Sequence, residues 1–161
     1  MATKQGDVGL LNDPVAQELL QSNNMANLAY VWKDGTPRVV PIWFHWDGQN
    51  IVVCSPPAAP KMKALKTGQK VAVSIDEKTW PVHALYIRGT IQLEWADGVA
   101  DEYAQAAKRY LGEEAGGGWI NQLNSMVDKM ARVKVRPEWV GLMHIETRPP
   151  SAVVKLFAGA G

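Results

Sequence analysis

Residues 27–54 read "NLAYVWKDGTPRVVPIWFHWDGQNIVVC": three apolar runs rich in valine, isoleucine and aromatic residues, parted by Asp34-Gly35 and Asp47-Gly48. An Asp-Gly pair between such runs is a strong local hairpin signal, because glycine takes the positive φ that a tight turn between strands requires. The stretch is expected to form three strands, "NLAYVWK", "PRVVPIWFHW" and "NIVVC", laid out as an antiparallel meander.

The flanking segments extend that sheet. Upstream, "NDPVAQELLQS" begins a short helix with Asn12 or Asp13 as N-cap and Pro14 at the first helical position, turning Val15, Ala16, Leu19 and Leu20 to one face. Downstream, "PKMKALKTG" reads as a helix closed by Gly68, "KVAVSID" as a fourth strand, and "VHALYIRGTIQLEW" as a long fifth strand bent at Gly89. The period then changes. "DGVADEYAQAAKRYL" sets Val99, Tyr103, Ala106 and Tyr110 at helical spacing, and "WINQLNSMVDKM" repeats the pattern after an expected loop, "GEEAGGG". "ARVKV", Pro137 and "WVGLMHIET" finish as one strand or a broken pair. Strands that do not alternate with helices predict a mainly β fold with peripheral helices, a small barrel of about six antiparallel strands. No repeat or interdomain linker interrupts the 161 residues, so they are expected to form a single domain, with 1–11 and 148–161 as tails.

Composition narrows the function. Lys+Arg number 17 against 16 Asp+Glu, which leaves no basic excess for a nucleic-acid partner. The opening "MATKQGDVGLLNDP" lacks the apolar core of a signal peptide, and no apolar run approaches the roughly 20 residues of a membrane span, so a cytoplasmic protein without a membrane partner is expected. One cysteine and three dispersed histidines, His45, His83 and His144, show no disulfide or metal-ligand spacing. No Ser-His-Asp, paired-carboxylate or Cys-His arrangement appears in a recognisable local context, so no catalytic side chain is singled out. Seven tryptophans and four tyrosines suit a core, a subunit interface or a stacking surface.

The candidate binding residues lie in "CSPPAAPKMKAL", residues 54–65. The Ser55 hydroxyl, helix N–H groups, Lys61 and Lys63 within a few residues suit an anion, most simply a phosphate, and they equally make a solvated strand-to-helix connection. Arg38, on an otherwise apolar strand, faces either solvent or a bound anion, since an unpaired buried charge is costly. Cys54 reads as a small buried hydrophobe and His45 as a structural histidine.

In order along the chain, "PRVVPIWF", "CS", "KMKAL" and "IRG" resemble the pyridoxamine-phosphate-oxidase-like FMN-binding split-barrel family, over about Leu19 to Glu146. The resemblance implies a split barrel and an FMN-dependent oxidoreductase; a branch that uses a deazaflavin coenzyme and a non-catalytic flavin carrier share the pattern. It implies that Arg38, Val39, Val40, Pro41, Ile42 and Trp43 line the cofactor, the arginine meeting the phosphate or ribityl chain and the backbone running along the isoalloxazine. Cys54 and Ser55 would stand at the next strand end, Ser55 giving a hydroxyl, while Lys61, with Lys63, would meet the phosphate. A homodimer with the cofactor at the subunit interface and a small-molecule substrate are implied as well. Pro60 stands where the oxidase has an arginine, Trp43 where it has a lysine, and Ala84 near the place of a flavin-directed glutamine. These departures argue against pyridoxamine phosphate as the substrate.

Overall fold

The structure, a computed structural model, describes residues 3–159. The first expected hairpin is present: β1 (Ala26–Val31) and β2 (Pro37–Ile42) pair antiparallel from Ala26↔Ile42 to Val31↔Pro37, turned by Gly35 at a φ of 84°. The meander ends there. The chain leaves β2 at Trp43-Phe44, and His45–Trp46 form β3, which pairs with β4 (Ile51–Ser55) around Gly48, φ 94°. The remaining strands are β5 (Lys70–Asp76), β6 (His83–Asp97) and β7 (Lys129–His144).

The sheet order is β2-β1-β5-β6-β7-β4-β3, so β2 and β3, consecutive in the chain, stand at opposite ends and the sheet curls to join them. About six expected strands become seven because one of them is divided between the two edges. Pro37 and Pro41 suit an edge, where a missing N–H breaks no ladder. Leu28, Val73, Ile75, Leu85, Ile87 and Val140 alternate inward and fill the curl. Each such side chain contributes about 1.5–3 kcal/mol by leaving water.

β6 bends where expected. Arg88 opposes Trp139 and Gly89 opposes Pro137, which leaves Glu138 as the extra residue of a bulge in β7. That strand runs unbroken from Lys129 through Pro137 to His144.

The helices surround the curl. α1 (Pro14–Gln21) is capped by Asp13, whose carboxylate accepts the Val15 N–H at 3.0 Å, and it buries Ala16, Leu19 and Leu20. α2 (Asp101–Leu111) lies over β4, where Val52, Cys54, Ala96, Ala100 and Met130 form a second apolar cluster. α3 (Glu113–Asn124) includes the expected loop "GEEAGGG" from Glu113 onward. A Cβ on Gly116 would come within 2.7 Å of the Lys108 Cα, so the glycine is what lets α3 touch α2.

Two further expectations are corrected. "PKMKALKTG" forms only a 3-10 turn, Pro60–Lys63: Ala59 gives it no side-chain cap, and Gly68, φ 87°, turns the chain by donating to the Ile91 carbonyl on the way to β5. The N-terminal segment is not a tail. Leu10 and Leu11 are buried, the Gly6 N–H donates to the Val140 carbonyl at 2.8 Å, and Gln5 bonds both backbone groups of Leu142, so the segment lies along β7. At the other end α4 (Ser151–Ala158) follows Arg148, which donates to the Thr3 carbonyl at 2.7 Å. The extremes of both expected tails, residues 1–2 and 160–161, lie outside the described residues.

Candidate functional site

His45 opposes Val52 and Trp46 opposes Ile51. Continued, that register would set Phe44 against Val53 and Ile42 against Ser55, but pairing stops at His45. The sheet forks there: β2 turns back to β1 while β4 runs on beside β7. The free edge of β2 and the end of β4 are the two lips of a split, and an unpaired strand edge offers a row of N–H and C=O groups to a heterocycle.

Arg109 on α2 holds the fork. Its guanidinium donates to the Phe44 carbonyl, its Nε donates to the Ser22 carbonyl at 3.0 Å, and it lies 4.9 Å from the Phe44 ring centroid. That carbonyl, at a position opposite Val53 that points away from β4, is thereby satisfied from α2. Tyr110 adds a hydrogen bond from its hydroxyl to the Asn24 carbonyl at 2.9 Å. Burial first, then the charge of Arg109, push the His45 pKa down, consistent with a structural, neutral imidazole.

On the first lip, Val40 and Ile42 pack on the core while Val39 and Pro41 face outward and are exposed. Arg38 is exposed, with its guanidinium 4.4 Å from the Trp32 ring centroid. Trp43 is half-buried and stacks on Tyr110 at 5.1 Å with the planes 10° apart, so its ring belongs to the packing of α2 and its backbone alone remains to the lip.

On the second lip, Ser55 is 1% exposed and alternates to the same side as Ile51 and Val53, the side of the core. Cys54 turns the other way, into the cluster beneath α2, where burial and then the Glu102 charge push its thiol up to about 12. Its side chain therefore packs away from the side that Ser55 takes.

Lys61 is half-buried in the 3-10 turn, and burial lowers its pKa. Among the described residues no carboxylate lies within 4.0 Å of its ammonium. Lys63 lines a cleft of about 350 Å³ with Trp32, Lys33, Lys66 and Gln69. Trp32 thus joins the two halves: Arg38 lies on its ring, and the same ring walls the cleft of Lys63. A partly desolvated ammonium without a counter-ion fits an anionic group. The residues on the two lips therefore suit a flat heterocycle that carries a phosphate.

Sequence reasoning missed Trp32, which looked like a strand-end aromatic, and Arg88, which lines one cleft with Arg38 and Lys70. Only three-dimensional pairing brings β2, β5 and β6 together. Among the described residues, no group of three or more His, Cys, Asp or Glu is placed to hold a metal, and no helix is long and apolar enough to cross a membrane.

A curled antiparallel sheet that stays open at one fork, with cations beside the opening, defines a split-barrel protein. The chain belongs to the pyridoxamine 5'-phosphate oxidase family, matched over residues 13–144, from the cap of α1 to the last residue of β7. Among solved structures it is similar to an F420 reductase, at 25% identity and a TM-score of 0.60, over 78% of this chain and 94% of that one. A conserved hypothetical protein from Mycobacterium tuberculosis shares the fold at 15% identity and a TM-score of 0.65, over 89% and 91% of the two chains. So does an FAD and heme binding protein from Mycobacterium smegmatis, at 20% identity and 0.57, over 88% and 75%. No curated protein matches the chain.

Proposed function

We propose that this chain is a cytoplasmic FMN-dependent oxidoreductase that binds the flavin in the split and acts on a small-molecule substrate. The carrying observation is Lys61, a half-buried ammonium without a carboxylate partner among the described residues, placed in the 3-10 turn that follows β4. When bound, the flavin supplies hydride or electron transfer, so the chain need present no acid or base of its own. Its residues bind and orient. Arg38, held on Trp32, gives a fixed fork of donors, Lys61 and Lys63 give mobile charge, and Ser55 gives one short hydrogen bond beside the core. The free edge of β2 supplies backbone groups along the ring, and Arg109 on α2 ties the fork to the segment before β1. A second copy of the chain completes the wall of this shallow opening, which makes the working unit a homodimer.

A deazaflavin coenzyme is the second reading, favoured by the 25% identity to an F420 reductase. The absorption spectrum of the purified protein, with the chromophore released by heat, separates the two, because flavin and deazaflavin absorb differently. Anaerobic reduction of the bound chromophore by NADH or NADPH, then reoxidation by an acceptor, separates an enzyme from a carrier. A colourless protein that binds neither FMN nor a deazaflavin in a titration overturns the proposal.

A further inference from the structure

His83 opens β6 and His144 closes β7, and the ladder sets them directly opposite each other. Their ring centroids are 4.4 Å apart and the rings are tilted by 49°. Both side chains are largely withdrawn from water, with 16% and 14% of their surface exposed. The two lie far apart in the chain, so only the pairing of β6 with β7 brings them together. The backbone beneath them is fixed: the His83 carbonyl accepts the Glu77 N–H at 3.0 Å, and the His144 carbonyl accepts the Thr147 N–H at 3.2 Å.

Each imidazole has one nitrogen engaged and the other left over. His83 Nδ1 lies 3.1 Å from the Glu77 carboxylate, and its Nε2 is buried without a hydrogen-bond partner among the described residues. A carboxylate can only accept, so the proton of a neutral His83 sits on Nδ1 and the lone pair on Nε2. A buried, unpaired acceptor is costly and calls for a partner that these residues do not supply. On His144, Nδ1 hydrogen-bonds with the Thr147 hydroxyl, while Nε2 stands 3.6 Å from the Glu146 carboxylate, too far for a hydrogen bond. Nδ1 held by an oxygen with Nε2 left over is how a histidine is oriented to ligate a metal, the outer partner fixing tautomer and ring.

The spacing agrees. Zinc bonds to nitrogen and oxygen of about 2.0–2.2 Å set two atoms on one tetrahedral ion about 3.3–3.5 Å apart, close to the 3.6 Å between His144 Nε2 and Glu146. Two imidazoles on such an ion have centroids about 5 Å apart, so these rings need part by less than about 1 Å. Glu146 is 63% exposed: two histidines are in place, and the carboxylate closes on them from solvent.

We propose that His83 and His144, through Nε2, bind a divalent transition-metal ion of the zinc type together with Glu146, while Glu77 and Thr147 hold the outer nitrogens. Imidazole and carboxylate donors without a thiolate suit zinc, and nickel or copper by the ordinary order of affinities. His144, Glu146 and Thr147 belong to the turn that leads to α4, so the ion staples the start of β6 to that turn. The site shares no residue with the lips of the split and does not rest on the cofactor reading.

The untagged full chain, stripped with a chelator and titrated with Co²⁺, tests the site. One Co²⁺ per chain is expected, with the strong visible absorption of a four- or five-coordinate ion, and Zn²⁺ is expected to displace it. His83→Phe and His144→Phe keep a ring without a ligating nitrogen, and each is expected to weaken binding at least about tenfold; near-UV circular dichroism checks the fold. Glu77→Gln should cost about tenfold to a hundredfold in affinity. Added Zn²⁺ is expected to raise the melting temperature of the wild type and of neither phenylalanine variant. Glu146→Gln changes an exposed side chain and decides the matter if a ring variant fails to fold: it should weaken binding and alter the Co²⁺ spectrum, and no change in either overturns the ligand set. No saturable Co²⁺ binding by the wild type, or wild-type binding in both phenylalanine variants, overturns the site and leaves two core histidines. Wild-type affinity in Glu77→Gln overturns the assignment of Nε2 as the ligating atom.

Discussion

Gly89 on β6 and Arg136 on β7, one step off the Gly89–Pro137 pair, approach so closely that a Cβ on Gly89 would sit 2.1 Å from the Arg136 carbonyl oxygen. That oxygen is backbone and has nowhere to retreat, because both strands are locked in the longest pairing of the sheet. Gly89→Ala is therefore expected to destabilise the protein by at least about 2 kcal/mol, in the upper range of single substitutions. Chemical denaturation of the variant measures it, and a loss within about 0.5 kcal/mol of zero would mean that the bulge relaxes freely.

The bulge at this point also aims Glu138 outward. Its carboxylate accepts from the Lys70 ammonium at 2.6 Å and from the Thr90 hydroxyl at 2.7 Å, tying β5, β6 and β7 together. The Lys70 hydrogen bond, then that of Thr90, hold the Glu138 carboxyl down to about 2, from an ordinary 4.5. A depressed carboxyl stabilises the fold fully above its unfolded value and loses that contribution as pH falls toward its folded one. The clasp is thus intact above about pH 4.5 and weakens from there toward pH 2. Glu138→Gln should flatten this part of the stability profile, read from thermal melts across the range. Parallel profiles for the variant and the wild type would show that solvent screens the clasp away.

Local chemistry made some of this legible in the sequence. The glycines of Asp34-Gly35 and Asp47-Gly48 accept the positive φ that tight turns need, and Pro14 behind Asp13 marks a helix start by its own geometry. The division of "PRVVPIWFHW" was not legible, because its two parts pair with different strands, β1 and β4, and the segment between them is held by Arg109, 65 residues away in the chain. Nor was the first half of α3, since three successive glycines read as a loop until Gly116 is seen against Lys108, whereas Trp119–Asn124 lie in the expected helix. For the site, Arg38 and Lys61 stood out as cations among apolar neighbours. Trp32 did not, because its role comes from two segments that meet only in the fold.

Cys54 and Ser55, adjacent in β4, present opposite consequences of one alternation. Cys54→Ser puts a hydroxyl into the apolar cluster beneath α2 and is expected to cost about 1–3 kcal/mol of stability with cofactor affinity unchanged. Ser55→Ala removes one neutral hydrogen bond of about 0.5–1.5 kcal/mol, a loss of roughly twofold to twelvefold in cofactor affinity. The native thiol, raised to about 12, is expected to stay unmodified by a thiol reagent at neutral pH until the protein unfolds. Denaturation curves beside cofactor titrations decide the matter; the opposite assignment of effects would place the strand one residue out of register.

Removing both lip cations is the most direct trial of the split as an anion site. Arg38 is exposed on Trp32 and Lys61 has no carboxylate partner among the described residues, so Arg38→Ala with Lys61→Ala breaks no ion pair and is expected to leave the fold intact. Two charge-assisted contacts at about 1.5–3 kcal/mol each should weaken FMN or deazaflavin binding at least about a hundredfold. The pH dependence carries a second signature. Burial lowers the Lys61 pKa in the free protein, while a bound phosphate favours the ammonium, so affinity is complete below the free value and falls as pH rises through it. Because that value is depressed, wild-type affinity should begin to fall at a lower pH than an ordinary lysine would allow. Lys61→Arg keeps its charge throughout and should hold affinity to higher pH. Equal affinity in the double variant and the wild type, measured by fluorescence titration, would remove the phosphate from this lip and with it the orientation assigned to the cofactor.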